Sequence, residues 1–454
     1  MATFVTRRSK PELVTSSRPT PHEIKHLSDL DDLRNHHEYT PVVSFFLSAG
    51  AMPEDTAKAM RVALAEALVH YYPLAGRLRE LPSGKLVVDC TEEGVVFVEA
   101  EAEVRLAELG EPLVPPFPCV GELLCSDVGD PRVVLGKPLF FMQVTRFRCG
   151  GFAVGLHMIR CIADGFGWNQ FIRAIADLAR GETVPLILPV WERELLTARV
   201  PASIACASPV FKPLVEGSGI DDVLYSTPFD SLVHRLFHFG PGEIARLRSH
   251  VTAHLRRSCT DFEVLTAVTW RCRTAALGYE PRRNVYICFP CNARDLLHVP
   301  EGYYGNADLY CVLEVSVGRL CGGQLGRTIE LVCGGKRSLL TPEYARSMVD
   351  LVASMRGRRL VFNGVYVVSD VTHLGGDGLD FGWGEWVAGG VVAPTVASFH
   401  MRCKNADGEE GVAVSMVLPG AMMERFEEEL ACRVLVPYMQ SEPSSYFTTM
   451  SWGA

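Results

Sequence analysis

Gly155-Leu156-His157-Met158-Ile159-Arg160-Cys161-Ile162-Ala163-Asp164-Gly165 is the stretch on which the reading of this chain turns. Phe152 to Ile159 is apolar and β-prone, and the Asp-Gly pair behind it breaks the strand. A helix follows whose apolar positions are Phe171, Ile172, Ile175, Leu178 and Ala179, with Arg180 in its last turn and Gly181 as its stop. A histidine, an arginine and an aspartate therefore fall at a strand end, where side chains reach a cleft from a rigid support.

Working outward, Val42 to Leu47 reads as a first strand. Met60, Leu64, Leu68 and Tyr71 recur at helical spacing until Pro73 stops the helix. Lys85 to Cys90 and Gly94 to Glu99, joined by Thr91-Glu92-Glu93, read as a β-hairpin, and Leu139 to Phe147 as a further strand. Prolines and Gly217-Ser218-Gly219 mark a crossover between residues 182 and 230, which places a domain boundary near 205 and gives domains 1–205 and 206–454. The second half restarts with a strand at Leu232 to Phe239. Thr260-Asp261-Phe262-Glu263 then offers a capping box to a helix running to about Leu277. Strands are expected at Val285 to Phe289, Leu309 to Val317, Val365 to Asp370, Val391 to Met401 and Gly411 to Pro419, and a closing helix at Ala421 to Cys432. Interleaved strands and helices in both halves predict an α/β protein of two layered units, which its 454 residues are long enough to fill.

Hydrophobic residues at 48% and charged residues at 21% are ordinary for a globular protein. A formal net charge of −9 argues against nucleic acid or an anionic membrane as partner. No apolar run reaches the ~18 to 20 residues of a membrane span. MATFVTRRSKPELV carries no apolar segment behind its basic residues and SWGA is no retention signal, so the expected location is cytoplasmic. The 15 cysteines are odd in number and scattered through apolar contexts, as expected of reduced thiols. Cys288-x-x-Cys291 has no second pair, and His234 and His238 lie in an alternating strand, so no metal site is expected.

Six blocks in order then carry a resemblance: Tyr72 to Arg77, Gly155 to Gly165, Thr260 to Ala267, Asn292-Ala293-Arg294, Gly302 to Ala307, and Asp380-Phe381-Gly382-Trp383-Gly384. Together they resemble the plant BAHD acyl-CoA-dependent acyltransferases, most of all the branch with benzyl-alcohol benzoyl transferases and taxane acyltransferases. The resemblance implies two chloramphenicol-acetyltransferase-like domains, each a mixed sheet with helices, and an active-site channel at their interface. It implies acyl-CoA as co-substrate with no permanently bound cofactor, a small alcohol or amine of plant secondary metabolism as acceptor, and a monomer. Asp164 takes the place of the family's structural aspartate, and Trp383 that of a substrate-binding residue. Asp380, Gly382, Gly384 and Arg294 are implied as architecture, with Asp380 the partner of Arg294. Asp-Phe-Gly without a His-Arg-Asp loop or a glycine-rich loop excludes a kinase.

The family's base is a histidine four residues before the Asp-Gly pair, where neutral imidazole accepts the acceptor's proton. Here that position is Arg160, whose guanidinium has no acceptor atom. His157 lies three residues earlier, and on a strand residues three apart face opposite sides. The candidate catalytic residues are thus His157, Arg160 and Asp164, with two readings open. In one, the chain is an acyltransferase that uses another base: His157, water or the substrate itself. In the other it is a pseudoenzyme that binds acyl-CoA or a small ligand in a regulatory role.

Overall fold

The computed structural model describes residues 3–48, 56–110, 113, 117–205, 223–228, 231–358, 364–372, 379–392, 397–404 and 408–434. The motif strand, Phe152–Ile159, runs at the centre of a seven-stranded sheet, antiparallel to Phe140–Phe147 on one side and Tyr39–Ser48 on the other. Its alternation divides its side chains between two cores. Phe152, Val154 and Leu156 enter the large core beneath the helices Thr56–His70 and Gly165–Ala179, whereas Ala153 enters a smaller one on the far face. The His157 side chain belongs with that far face.

A six-stranded sheet fills the second half, in the order Leu232–Phe239, Glu410–Pro419, Ser398–Lys404, Val365–Asp370, Asn284–Asn292 and Asp308–Ser316. The helix Asp261–Leu277 lies against it and is buried on nearly every face. It packs between the helices Leu325–Leu339 and Gly420–Val434, which explains why its burial is not confined to one stripe and takes in Glu263, Arg271 and Arg273 as well. The capping box read from sequence is present: Thr260 Oγ1 accepts from the Glu263 amide at 3.2 Å, and Glu263 returns a bond to the Thr260 amide at 2.9 Å.

Two sequence expectations give way. The hairpin does not form: Leu86–Asp89 pairs with Arg77–Glu80 and Ile24–His26 in a separate three-stranded sheet, while Val95–Ala102 joins the seven-stranded sheet. Alternating strands joined by a short polar link read alike in either arrangement. What separates them is the turn at Gly94 (φ 89°), which lies so close to the Val14 carbonyl that a Cβ there would come within 2.5 Å of its oxygen. The single strand expected at Val391 to Met401 is instead the end of Gly384–Val391 and most of Ser398–Lys404, which belong to different sheets. Gly384–Val391 crosses from the second half to the edge of the first sheet and pairs antiparallel with Tyr39–Ser48. The boundary region 206–222 lies outside the described residues, as does the tail from 435, and we keep the division 1–205 and 206–454 as a proposal.

Candidate active site

The motif strand continues its ladder one residue past its end, where the Arg160 amide donates to the Glu38 carbonyl at 3.0 Å. Cys161, Ile162 and Ala163 turn inward, and Asp164 caps the following helix by accepting from the Gly167 amide at 2.9 Å. Glycine is required at 167 because a Cβ there would come within 2.0 Å of the Tyr304 carbonyl oxygen.

Asp164 is held from the other half of the chain. Arg294 donates to both carboxylate oxygens at 2.9 Å, and the Ala307 amide adds a further bond at 2.9 Å. Arg294 also donates to the carbonyls of Gly305 and Tyr303. Asp164 is 6% exposed, so this is a buried, two-toothed ion pair whose polar atoms are satisfied. The pairing expected between Arg294 and Asp380 is therefore wrong. Asp380 is exposed and its carboxylate accepts from the Gly382 amide at 2.7 Å, while its carbonyl accepts from Arg180. Arg180 and Asp164 cap opposite ends of one helix, ~24 Å apart at its rise per residue.

Asp380 to Gly384 instead fastens the two halves at that far end. Phe381 is fully buried, with its ring edge-on to Phe46 and Phe152 at 5.3 and 6.2 Å. Gly382 has φ 89°, and Gly384 opens the crossing strand where a Cβ would lie 2.6 Å from the Phe152 ring. Trp383 is buried against Phe381, and its indole N–H has no partner among the described residues.

Arg160 points to the seam between the halves. Its guanidinium donates to Glu38 at 2.9 Å, and the two side chains are 41% and 35% exposed, so both reach solvent rather than core. Asn306 Nδ2 donates to the Arg160 carbonyl at 2.9 Å and is itself fixed by Asp31. Buried Arg193 completes the support: it donates to the Ile162 carbonyl, pairs with Asp31, and lies over the rings of Trp191, Tyr303 and Tyr304. His157 is not part of this group. Its ring meets Phe141 edge-on at 6.3 Å, and its Nδ1 is buried with no partner among the described residues. Burial lowers its pKa to about 4, so it is neutral at pH 7.

Two further groups face Arg160 from the seam. His36 Nδ1 donates to the Leu30 carbonyl and its Nε2 is hydrogen-bonded to the Tyr310 hydroxyl, and burial lowers its pKa to about 3. Asp308 stands two residues before Tyr310 on the same strand, and so on the same face. Burial and the nearby Asp164 charge raise its carboxyl to about 7, with Arg294 and Arg160 acting the other way.

Residues 4–432 match the family model described as "Transferase family". The chain is 49% identical to Acyl transferase 1 of Oryza sativa subsp. japonica, over 95% of this chain and 96% of that one. It is 44% identical to benzyl alcohol O-benzoyltransferase of Nicotiana tabacum, over 94% and 93% respectively. Its fold is similar to the crystal structure of vinorine synthase, with a TM-score of 0.70 at 22% identity, covering 94% of this chain and 98% of that one.

The chain belongs to the BAHD acyltransferase family.

As a BAHD protein it is by family an acyl-CoA-dependent acyltransferase of two-domain chloramphenicol-acetyltransferase-like fold, with acyl-CoA as co-substrate. The BAHD chain also has a cavity of about 980 Å³ at the start of the helix Asp261–Leu277. Arg248, Arg256, Lys336 and Arg402 line it against Asp261, Asp370 and Glu410. His400 lines it too, 1% exposed, with neither ring nitrogen partnered among the described residues. Sequence reading missed this cavity, although the run Leu247-Arg248 to Arg257 ahead of the capping box was its available signal. It also missed Glu38, Asp31, Arg193 and Asp308, which no local pattern ties to Arg160.

None of the 14 described cysteines is in a disulfide, and Cys288 and Cys291 enter different apolar clusters from one strand. Cys259 and Cys333 do meet, Sγ to Sγ at 2.8 Å, beside Glu263, a metal-capable group that no sequence spacing announced. Glu263 is already engaged by the Thr260 amide and by Lys336 at 3.5 Å. Among the described residues no helix is long and apolar enough to cross a membrane.

Proposed function

We propose that this chain transfers an acyl group from acyl-CoA to the hydroxyl, or the amine, of a small plant metabolite, on a site in which Arg160 occupies the place of the family's base. The observation that carries this reading is the Asp164–Arg294 clasp. It holds the strand end carrying residue 160 against the second half, so the architecture that presents that position is kept. Losing either partner would strand the other, so the clasp fixes this geometry as firmly as it holds the fold.

In such a transfer the acceptor oxygen attacks the thioester carbonyl, its proton leaves, and the carbon–sulfur bond breaks to release CoA. Arg160 is a permanent cation that donates hydrogen bonds, suited to the carbonyl oxygen as negative charge develops on it. It cannot take the proton. The 980 Å³ cavity suits the phosphorylated end of CoA: its basic side chains outnumber the acidic ones, and the N-terminus of a 17-residue helix opens into it. Location in the cytoplasm, a monomeric state and a substrate contact by Trp383 belong to the same proposal.

Arg160 itself favours a second reading, an acyl-CoA-binding protein without turnover. One experiment separates the two. Thiol release is followed from acetyl-, benzoyl- and hydroxycinnamoyl-CoA with mixed alcohols and amines, for the native chain, Arg160→His and His157→Ala. Turnover by the native chain that survives His157→Ala is expected. A silent native chain that Arg160→His awakens would replace the enzyme reading with the binding one.

A further inference from the structure

Apart from Asp308, none of the described residues named around Arg160 offers a proton acceptor. Arg160 has no lone pair to offer. His157 lies on the far face of the sheet, and His36 spends both ring nitrogens on fixed partners. Asp164 already accepts from Gly167, Ala307 and twice from Arg294, and Glu38 is the counter-ion of Arg160.

Asp308 is different. The backbone leading into it is pinned on both sides: the Ala307 amide bonds Asp164, the Ala307 carbonyl accepts from the Ala293 amide at 2.9 Å, and Asn306 holds the Arg160 carbonyl. Asp308 opens the strand Asp308–Ser316 opposite Asn292, and its side chain shares the face of Tyr310, whose hydroxyl meets His36. Leu309 and Cys311, between and beyond them, are buried in apolar cores on the other face. The strand thus delivers one carboxylate to the seam where Arg160 lies. That carboxylate is half-buried and takes no hydrogen bond among the described residues. The charged and titratable groups acting on it are Asp164, Arg294 and Arg160, with Tyr310 beside it on the strand; Glu38 and His36 stand beyond, bonded to Arg160 and Tyr310.

We propose that Asp308 is the general base of this chain, replacing the histidine that Arg160 has displaced. This rests on the acyltransferase reading above. The Asp308 carboxylate takes the proton of the acceptor O–H as that oxygen bonds to the thioester carbon. The carbon–sulfur bond then breaks, and the carboxylic acid returns the proton to the CoA thiolate, giving ester and free CoA with Asp308 ionised again. A carboxyl raised toward neutrality serves both halves of this exchange, since base strength and the fraction ionised are then balanced at working pH.

The test is steady-state turnover of the native chain, Asp308→Asn, Asp308→Glu and the double variant Arg160→His/Asp308→Asn, from pH 5 to 9, with CoA binding measured by calorimetry. Expected are a native kcat that rises through a limb near pH 7, and a loss of roughly 10²-fold or more in Asp308→Asn. Its KM for acyl-CoA and its CoA affinity stay within about twofold of native, as for a group that acts in the transition state rather than in binding. Asp308→Glu keeps a limb, and the double variant regains turnover through the new imidazole. Asp308→Asn with native kcat and an unchanged limb overturns the proposal while the acyltransferase reading stands. A native chain that binds CoA yet turns over no donor overturns both. Asp308→Asn that loses CoA binding together with turnover assigns Asp308 a structural role and overturns the catalytic one.

Discussion

At the scale of single residues, this protein separates groups that look alike in sequence by where their strands end. His157 and Arg160 are three apart, yet one lies against Phe141 on the far face of the sheet and the other meets solvent beside Glu38. Burial holds His157 neutral, and its folded pKa of about 4 lies below the ordinary 6.5. A base whose folded pKa is depressed takes up its proton more readily when unfolded. Stability is therefore full above pH 6.5 and falls as pH drops toward 4. His36 and His400, lowered to about 3 and about 4 by burial, act in the same direction. We expect His157→Phe, which can pack on Phe141, to melt nearer to its neutral-pH temperature at pH 4.5 than the native chain does. Thermal melts at pH 4.5 and 7.5 check this, and an unchanged native-to-variant gap would show that His157 does not titrate with unfolding.

At the scale of elements, local chemistry and tertiary demand agree most fully at the helix Asp261–Leu277. Its box satisfies two end amides through Thr260 and Glu263. Thr260→Ala is expected to cost about 1 kcal/mol, read from denaturant midpoints at constant m-value. Agreement fails where pairing partners are distant. The motif strand, the helix after it and the capped helix were legible because periodicity and stop signals lie within each segment. The hairpin at Lys85 to Glu99 was misread because a strand's pattern says that one face is buried, not which neighbour pairs with it. The crossing strand Gly384–Val391 went unseen because Gly389 and Gly390 weaken its pattern, and it lies at a sheet edge supplied by the other half of the chain.

At the scale of the whole molecule, the halves are joined at both ends of one helix. Asp164 at its start binds Arg294, and Arg180 at its end meets Asp380 and the turn that leads into the crossing strand. The first joint is buried and charged, so removing one partner leaves the other ionised in a low-dielectric place. Arg294→Met is expected to destabilise by about 3–5 kcal/mol, a large part of the ~5–15 kcal/mol that holds a domain together. Asp164→Asn/Arg294→Met, which removes both charges, should recover part of that loss in a double-mutant cycle. Strict additivity of the two single changes would mean that the clasp carries no coupling.

The sequence by itself determined family, fold class and the position of the candidate site, because six separated blocks and two periodicities survive without knowledge of contacts. It also determined that residue 160 cannot act as a base, since guanidinium chemistry does not depend on its surroundings. Only the tertiary structure decided that Arg294 serves Asp164 rather than Asp380, and that Asp308 stands at the seam with a carboxyl raised toward neutrality. The physical reason is the same in each case. A side chain's type is written locally, but its partners and its proton affinity are set by groups that only folding brings close.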